Sequence, residues 1–477
     1  MSAARSSSVS AERPVAAAPR PYAFPPFRRA SLPNGLSILA VDLPGRPLLT
    51  ASLVIPSGAT DEPAELAGAT VLMARTLSEG TELHDAVALV EATERLGASI
   101  HAEAGWDATS ISLDVPAERL GSALDLVAEV AARPTFPDAE VERLREERLA
   151  DILQARADPR RRAEEAFVGA VYAPSSPYHR SVGGTTETVE RLDSATSRAE
   201  LARRFDPARM SLIIGGDLTG IDVVGLIDER FGGWAADPAA TPSGQIDATP
   251  TASHRRLLVV HRPGSVQTEI RVGHPGAPRR IPDFHALSVM SAILGGLFNS
   301  RLNRRLREEK GYTYGAHAGF DLRRAAGPFA ARAAVDTAVT VPSVLEMLTV
   351  IEGIAGGVIA AELDEARDYL VGVFPLRFET AGAVVGALSG LVVHGLPDDE
   401  LARYRPAVQA VTVDDVAAAA AAHVHPDELA IVLVGDADAF LPDLEAAGLG
   451  PIEVERDPLV ERDVPPSTAE VGDDTTG

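Results

Sequence analysis

The chain has 477 residues, 45% of them hydrophobic and 23% charged, the balance of a soluble globular protein long enough for more than one domain. Its 44 Lys+Arg against 68 Asp+Glu give a formal net charge of -24, which argues against a protein that tracks a nucleic-acid backbone or is held by charge on anionic lipid. Zero cysteines remove disulfides, thiolate zinc sites and cysteine nucleophiles together.

Residues 1–30 scatter arginine and proline without the apolar run of a signal sequence, and a disordered tail is expected there. Residues 39–59, LAVDLPGRPLLTASLVIPSGA, read as two strands joined by a Pro-Gly turn. Strands are expected over 98–103 and 109–115. Between 117 and 132, Leu120, Leu124, Val127 and Ala131 fall on one helical face. Residues 140–156 and 362–379 lack breakers and predict long helices. Residues 235–253, AADPAATPSGQIDATPTAS, carry no apolar periodicity and read as a linker. A strand is expected over 429–434, and 456–477 form a polar, acidic tail. No stretch approaches the roughly 20 apolar residues of a membrane helix. The expectation is a cytoplasmic protein with neither membrane nor nucleic acid as partner.

An internal repeat sets the architecture. LVVHRPGSVQTEIRVGHPGA at 258–277 repeats the punctuation of the first hairpin: Pro44 pairs with Pro263 and Pro56 with Pro275, both at an offset of 219. DPARMSLIIGGD, ending at Asp217, and HPDELAIVLVGD, ending at Asp436, keep the same offset. The chain therefore reads as two homologous domains, 31–234 and 254–455. Strands and helices mix without strict alternation, so each is an α+β unit, a mixed sheet with packed helices.

Three segments carry a resemblance: the opening LPNGLSILAVDLPG, SPYHRSVGGTTETVERL at 176–192, and ILGGLFNSRLNRRLREEKGYTYG at 293–315. With them the chain resembles the insulinase/pitrilysin-type zinc metallopeptidases (inverzincins), in the short two-domain branch that includes mitochondrial processing peptidase. The resemblance spans about residues 32 to 454. It implies a first domain with His-x-x-Glu-His on a helix, where two imidazoles bind zinc and the Glu acts as general base, and a third ligand, a Glu, from a later helix.

Aligned on the Glu-Gly-Thr at 79–81, those positions hold Val71, Ala74 and Arg75. Val and Ala have no ligand atoms, and a guanidinium stays a cation where a metal should sit. The third-ligand region offers Asp151 or Ala150 in place of Glu. None of the eleven histidines restores the spacing. His84 beside Asp85 reads as a helix start rather than a ligand. His423 and His425 precede the last strand and read as structural, and His101, His261 and His274 read as packing or edge residues.

The resemblance further implies that the second domain supplies a substrate-facing Arg and Tyr, here Arg307 and Tyr314. A guanidinium fork and a phenol supply fixed donors where oxyanion charge develops. The bland reading pairs Arg307 with Glu308 or Glu309 and makes Tyr314 a strand-core aromatic. The family pattern implies a non-catalytic, substrate-binding subunit, metal-free itself, working with a zinc-bearing paralogous subunit on short or unfolded peptides. A non-enzymatic scaffold of the same fold is the alternative. An active peptidase with a metal site rebuilt from His84 and Asp151 is a third reading. The acidic total favours basic peptides as ligands, although totals do not locate charge on walls.

Overall fold

A computed structural model describes residues 20–235 and 244–456; the linker's centre and the ends of both expected tails lie outside the described residues. Two six-stranded mixed sheets organise the chain. The first runs in the order β1-β2-β6-β3-β5-β4, from β1 (Phe27–Ser31), β2 (Ser37–Asp42), β3 (Leu48–Ile55), β4 (Ser99–Ala104), β5 (Thr109–Pro116) and β6 (Ser211–Gly216). The second runs β12-β7-β11-β8-β10-β9, from β7 (Arg256–His261), β8 (Gln267–Pro275), β9 (Ala316–Phe320), β10 (Pro328–Asp336), β11 (Ala430–Gly435) and β12 (Ile452–Arg456). Shifting β2 and β6 by the sequence offset lands them on β7 and β11, and both pairs are parallel. The edges differ: β1 joins β2 antiparallel, whereas β12 joins β7 parallel.

Residues 20–30 depart from the expected tail. Phe24 is buried with its ring edge-on to Phe378, and Tyr22 stacks near the same ring. Aromatics spaced among prolines anchor this stretch, a signal that composition alone conceals.

Five helices matter below: α1 (Ala69–Thr76), α2 (Asp138–Ala157), α3 (Pro159–Val171), α4 (Thr340–Gly353) and α5 (Ala381–His394). The two halves exchange a helix. From the first half, α3 buries Ala163, Ala166, Phe167 and Ala170 against Val260, Val432 and Val434 of the second sheet. From the second half, α5 buries Val384, Val385 and Leu388 against Leu39, Val54 and Ile213 of the first. Each central strand is thus covered on both faces, which is why β6 and β11 are buried at every position and read as unbroken apolar runs. Gly273 on β8 makes room for α3, since a Cβ there would stand 2.8 Å from the Phe167 ring. Residues 244–253 do not swing free either: Thr251 N–H bonds Val171 O and Ala173 N–H bonds Thr249 O, both at 2.9 Å.

The long helices form as Asp138–Ala157 and Ala360–Val373. The second stops short of residue 379 because Pro375 tightens the following turn, Phe374–Phe378, into 3-10 form. One expectation is corrected. The segment Thr337–Gly356, which contains α4, is long and apolar enough to cross a membrane, with a mean hydropathy of 1.5. Here Val344, Met347, Leu348 and Ile351 are buried in the second core, which accounts for the apolar residues.

Candidate functional site

The helix aligned with the zinc motif is α1, built into the first core through Leu72, Met73 and Leu77. Its first turn is held by Glu62, a buried carboxylate that accepts from Gly68 N–H (3.0 Å) and Thr70 N–H (2.6 Å). Burial pushes the Glu62 carboxyl above its ordinary pKa, and those hydrogen bonds oppose the shift.

Facing α1 is α2. Arg75 donates to Glu147 (3.1 Å), which also accepts from Arg143 (2.7 Å). Asp151, the third-ligand position, meets Arg148 at 3.4 Å. Arg148 also donates to Gly183 O (2.9 Å) and Ser181 Oγ (3.2 Å). Burial lowers the Arg148 pKa; Asp151 opposes the shift, while the like charges of Arg161 and Arg75 add to it. The two helices meet through Leu72, Met73, Val141 and Leu144 in the first core, and the partly exposed Arg75–Glu147 pair bridges them at the surface. Val71 and Ala74 offer no donor atoms, and two guanidiniums flank the position. These residues do not fit zinc.

A rebuilt metal site finds no support among the described residues. His84 does precede a helix start, with Asp85 as N-cap, and its partly exposed ring is held by a contact of its Nδ1 (2.9 Å) with the buried Glu129, which Thr81 also bonds. Asp151 is spent on Arg148. His423 and His425 diverge, because His423 closes a helix and meets Asp283 (2.7 Å), whereas His425 N–H bonds His274 Nε2 (3.0 Å). His101 is on edge strand β4, 3.9 Å from Glu103. His274 is buried and its pKa falls to about 4, chiefly through desolvation.

One group could converge on an ion by distance alone: His261, Asp436 and Asp438. The repeat explains it otherwise. His261 Nδ1 accepts from Ala437 N–H (3.1 Å), as Asp42 accepts from Leu218 N–H (3.0 Å) in the first half. Asp436 accepts from Gly264 N–H as Asp217 does from Gly45 N–H, both at 2.9 Å. His261 and Asp436 are thus parts of a turn clamp that the first half makes without histidine, and Asp438 is an exposed carboxylate 3.8 Å from the His261 ring.

In the second half the signature segment forms two π-helical turns, Ala292–Gly296 and Arg304–Glu309, a local widening often found at functional sites. The first glycine is structural, since a Cβ on Gly295 would stand 2.3 Å from Ala318 N. Arg307 sits in the second turn, its guanidinium 4.5 Å from the Phe298 ring centroid and 3.4 Å from Glu308. The local ion pair of the bland reading therefore exists. Tyr314 is no core aromatic: it is 97% exposed just before β9, while Tyr312 packs on the core in its place.

A cleft of about 730 Å³ opens beside the C-terminal end of α2, between α3, residues 179–185 and the second sheet. Eight arginines and five carboxylates line it, together with His179, a cationic excess within an acidic chain. Neither Arg307 nor Tyr314 is among its walls. Sequence reading missed this feature, whose one signal is the arginine run at 156–162 around Asp158-Pro159.

Comparison with known proteins bears on the family and the fold. Residues 38–185 match the model for insulinase (peptidase family M16), and residues 198–370 match that for the peptidase M16 inactive domain. An uncharacterized zinc protease of Mycobacterium tuberculosis is 27% identical over 82% of this chain and 90% of its own length. A non-peptidase homolog of Helicobacter pylori is 23% identical over 77% of this chain and 84% of its own. The crystal structure of a peptidase M16 inactive domain from Pseudomonas fluorescens superposes with a TM-score of 0.79 at 26% identity, covering 86% of this chain and 98% of that one.

Proposed function

The chain belongs to the insulinase (M16) peptidase family yet lacks that family's metal ligands, and we propose that it is the non-catalytic, substrate-binding subunit of a heterodimeric zinc endopeptidase. A paralogous partner supplies zinc and the general base. This chain holds no metal of its own and supplies Arg307 and Tyr314, whose guanidinium and phenol donate to the backbone of a short or unfolded peptide and to the oxyanion as it develops. The observation that carries the reading is the contrast between the two halves. At the positions aligned with the zinc motif, Val71 and Ala74 offer no ligand atom and Arg75 pairs with Glu147, with the Arg148 guanidinium close enough to feel Arg75's charge, whereas Tyr314 is 97% exposed with no partner among the described residues.

The test mixes the chain with the M16 paralogue from the same genome that carries His-x-x-Glu-His, and follows cleavage of an unstructured peptide. Activity is expected only in the mixture, with a loss on the order of a hundredfold for Arg307→Ala, the scale of removing one oxyanion donor. Full activity of the paralogue alone, or no effect of Arg307→Ala, would favour a non-enzymatic scaffold of the same fold.

A further inference from the structure

The arginine cleft has an unbalanced end. Four of its cations are matched at short or moderate range: Arg162 meets Glu455 (2.6 Å), Arg256 meets Glu453 (3.3 Å), Arg323 meets Asp321 (2.6 Å) and Arg332 meets Glu164 (3.7 Å). The other four, carried by α2, α3 and residues 179–185, are compensated weakly or not at all. Arg148, 16% exposed, has one carboxylate contact, at 3.4 Å with half-exposed Asp151. Arg180, 13% exposed, reaches Glu62 only at 4.0 Å, and its Nη2 is buried without a hydrogen-bond partner. The side chains of Arg156 and Arg161 make no ion pair among the described residues, although Arg156 lies in the field of Glu187.

Four guanidiniums thus line one end of the cleft with little carboxylate compensation: Arg156 and Arg161 make no ion pair among the described residues, and Arg148 and Arg180 make one long contact each. Concentrating like charge in a partly desolvated wall is unfavourable unless something anionic arrives. A guanidinium's planar fork suits carboxylates, and clusters of them are a recurrent means of reading acidic motifs. The volume and the spread over two helices and a loop exceed what a single small anion would fill.

We propose that this end of the cleft, through Arg148, Arg156, Arg161 and Arg180, binds an acidic peptide segment by its side-chain carboxylates. The sign is opposite to the basic ligand that the overall charge favoured. The inference names a peptide class for the substrate-binding role proposed above and rests on that reading only in taking a peptide as the ligand. It is measured on this chain alone, so a failed reconstitution with a zinc-bearing partner leaves it standing, and its own failure leaves the subunit role standing.

The experiment is fluorescence anisotropy of the full chain with a labelled Glu/Ser decapeptide and its Gln/Ser isostere. The Glu peptide is expected to bind, to weaken steeply with added salt, and to lose at least about tenfold in affinity in the Arg156→Glu/Arg161→Glu variant, a loss of about 1.4 kcal/mol. The Gln isostere is expected not to bind. Arg161 is exposed, so the fold should tolerate its change; Arg161→Gln serves if the double variant melts early, and Arg28→Glu, on exposed β1, controls for net charge. Equal binding of the two peptides, or affinity unchanged in the cleft variants but lowered by Arg28→Glu, would overturn the proposal. So would cleft-dependent binding of pyrophosphate without binding of the Glu peptide, which would make this a site for phosphates.

Discussion

Truncating Phe167 to Ala tests the helix exchange. Phe167 belongs to the first half by sequence, but its ring is 1% exposed in the second half's core and lies over Gly273 of β8. Removing a fully buried phenyl ring costs about 3–5 kcal/mol through lost transfer energy and the cavity left behind. Gly273 has no side chain to collapse into that cavity, which places the estimate toward its upper end. Because α3 is covalently part of one half and packed into the other, the loss should fall on both. Hydrogen exchange by mass spectrometry across a urea series reads the halves separately, following peptides from β3 and β6 against peptides from β8 and β11. The expected result is a single cooperative loss of protection in both sheets, with the unfolding free energy read from each lowered by the same amount. Leu388→Ala, at the reciprocal contact of α5 with the first sheet, should behave alike. Loss of protection in one sheet with the other unchanged would refute the exchange as the source of coupling.

Three further outcomes follow. Across the two halves the Arg324 backbone N–H bonds Asp107 (2.8 Å), and its guanidinium meets Asp107 (3.3 Å), Thr60 Oγ1 (2.8 Å) and Asp61 (3.2 Å); Arg324→Ala keeps the backbone bond but removes the guanidinium from the buried Asp107 and Asp61 carboxylates, and should cost about 2 kcal/mol in chemical denaturation, with Arg324→Lys a partial rescue. His274, lowered to about 4 from an ordinary 6.5, favours the folded state fully above pH 6.5. That contribution is lost as pH falls through the window down to about 4, where the unfolded chain takes the proton and the folded one does not. Between pH 6.5 and 4 the wild-type protein should lose up to about 3 kcal/mol more stability than His274→Gln does. Gly295→Ala forces a Cβ against the β9 backbone and should lower the unfolding free energy, read from the urea midpoint, by about 1–3 kcal/mol; an unchanged midpoint would mean that the first π-helical turn yields freely.

The repeat was legible because its strands are local patterns: SILAVD and SLIIGG recur as RLLVVH and AIVLVG at one offset, and they became β2, β6, β7 and β11. The absent zinc motif was legible for the same reason, as residue types at fixed spacing. What stayed hidden depends on which surfaces meet. Nothing in the apolar face of PRRRAEEAFVGAV says that it packs on the other half's sheet. His423 and His425 looked like neighbours by strand alternation, but a helix end intervenes and sends them apart. Arg148, Arg156, Arg161 and Arg180 are scattered through the sequence and become one wall only once α2, α3 and residues 179–185 are assembled. Thr337–Gly356 shows the converse: its composition fits a membrane span, and only its packing reveals a core helix.

The most direct test of the subunit reading is the metal content of the full chain, purified without chelator and assayed for peptide cleavage alone. The account predicts no stoichiometric zinc and no chelator-sensitive cleavage, because Val71, Ala74 and Arg75 offer no ligand and Arg75 and Arg148 repel a cation. One tightly held zinc per chain, with cleavage abolished by a chelator, would contradict it and place a working metal centre in this chain.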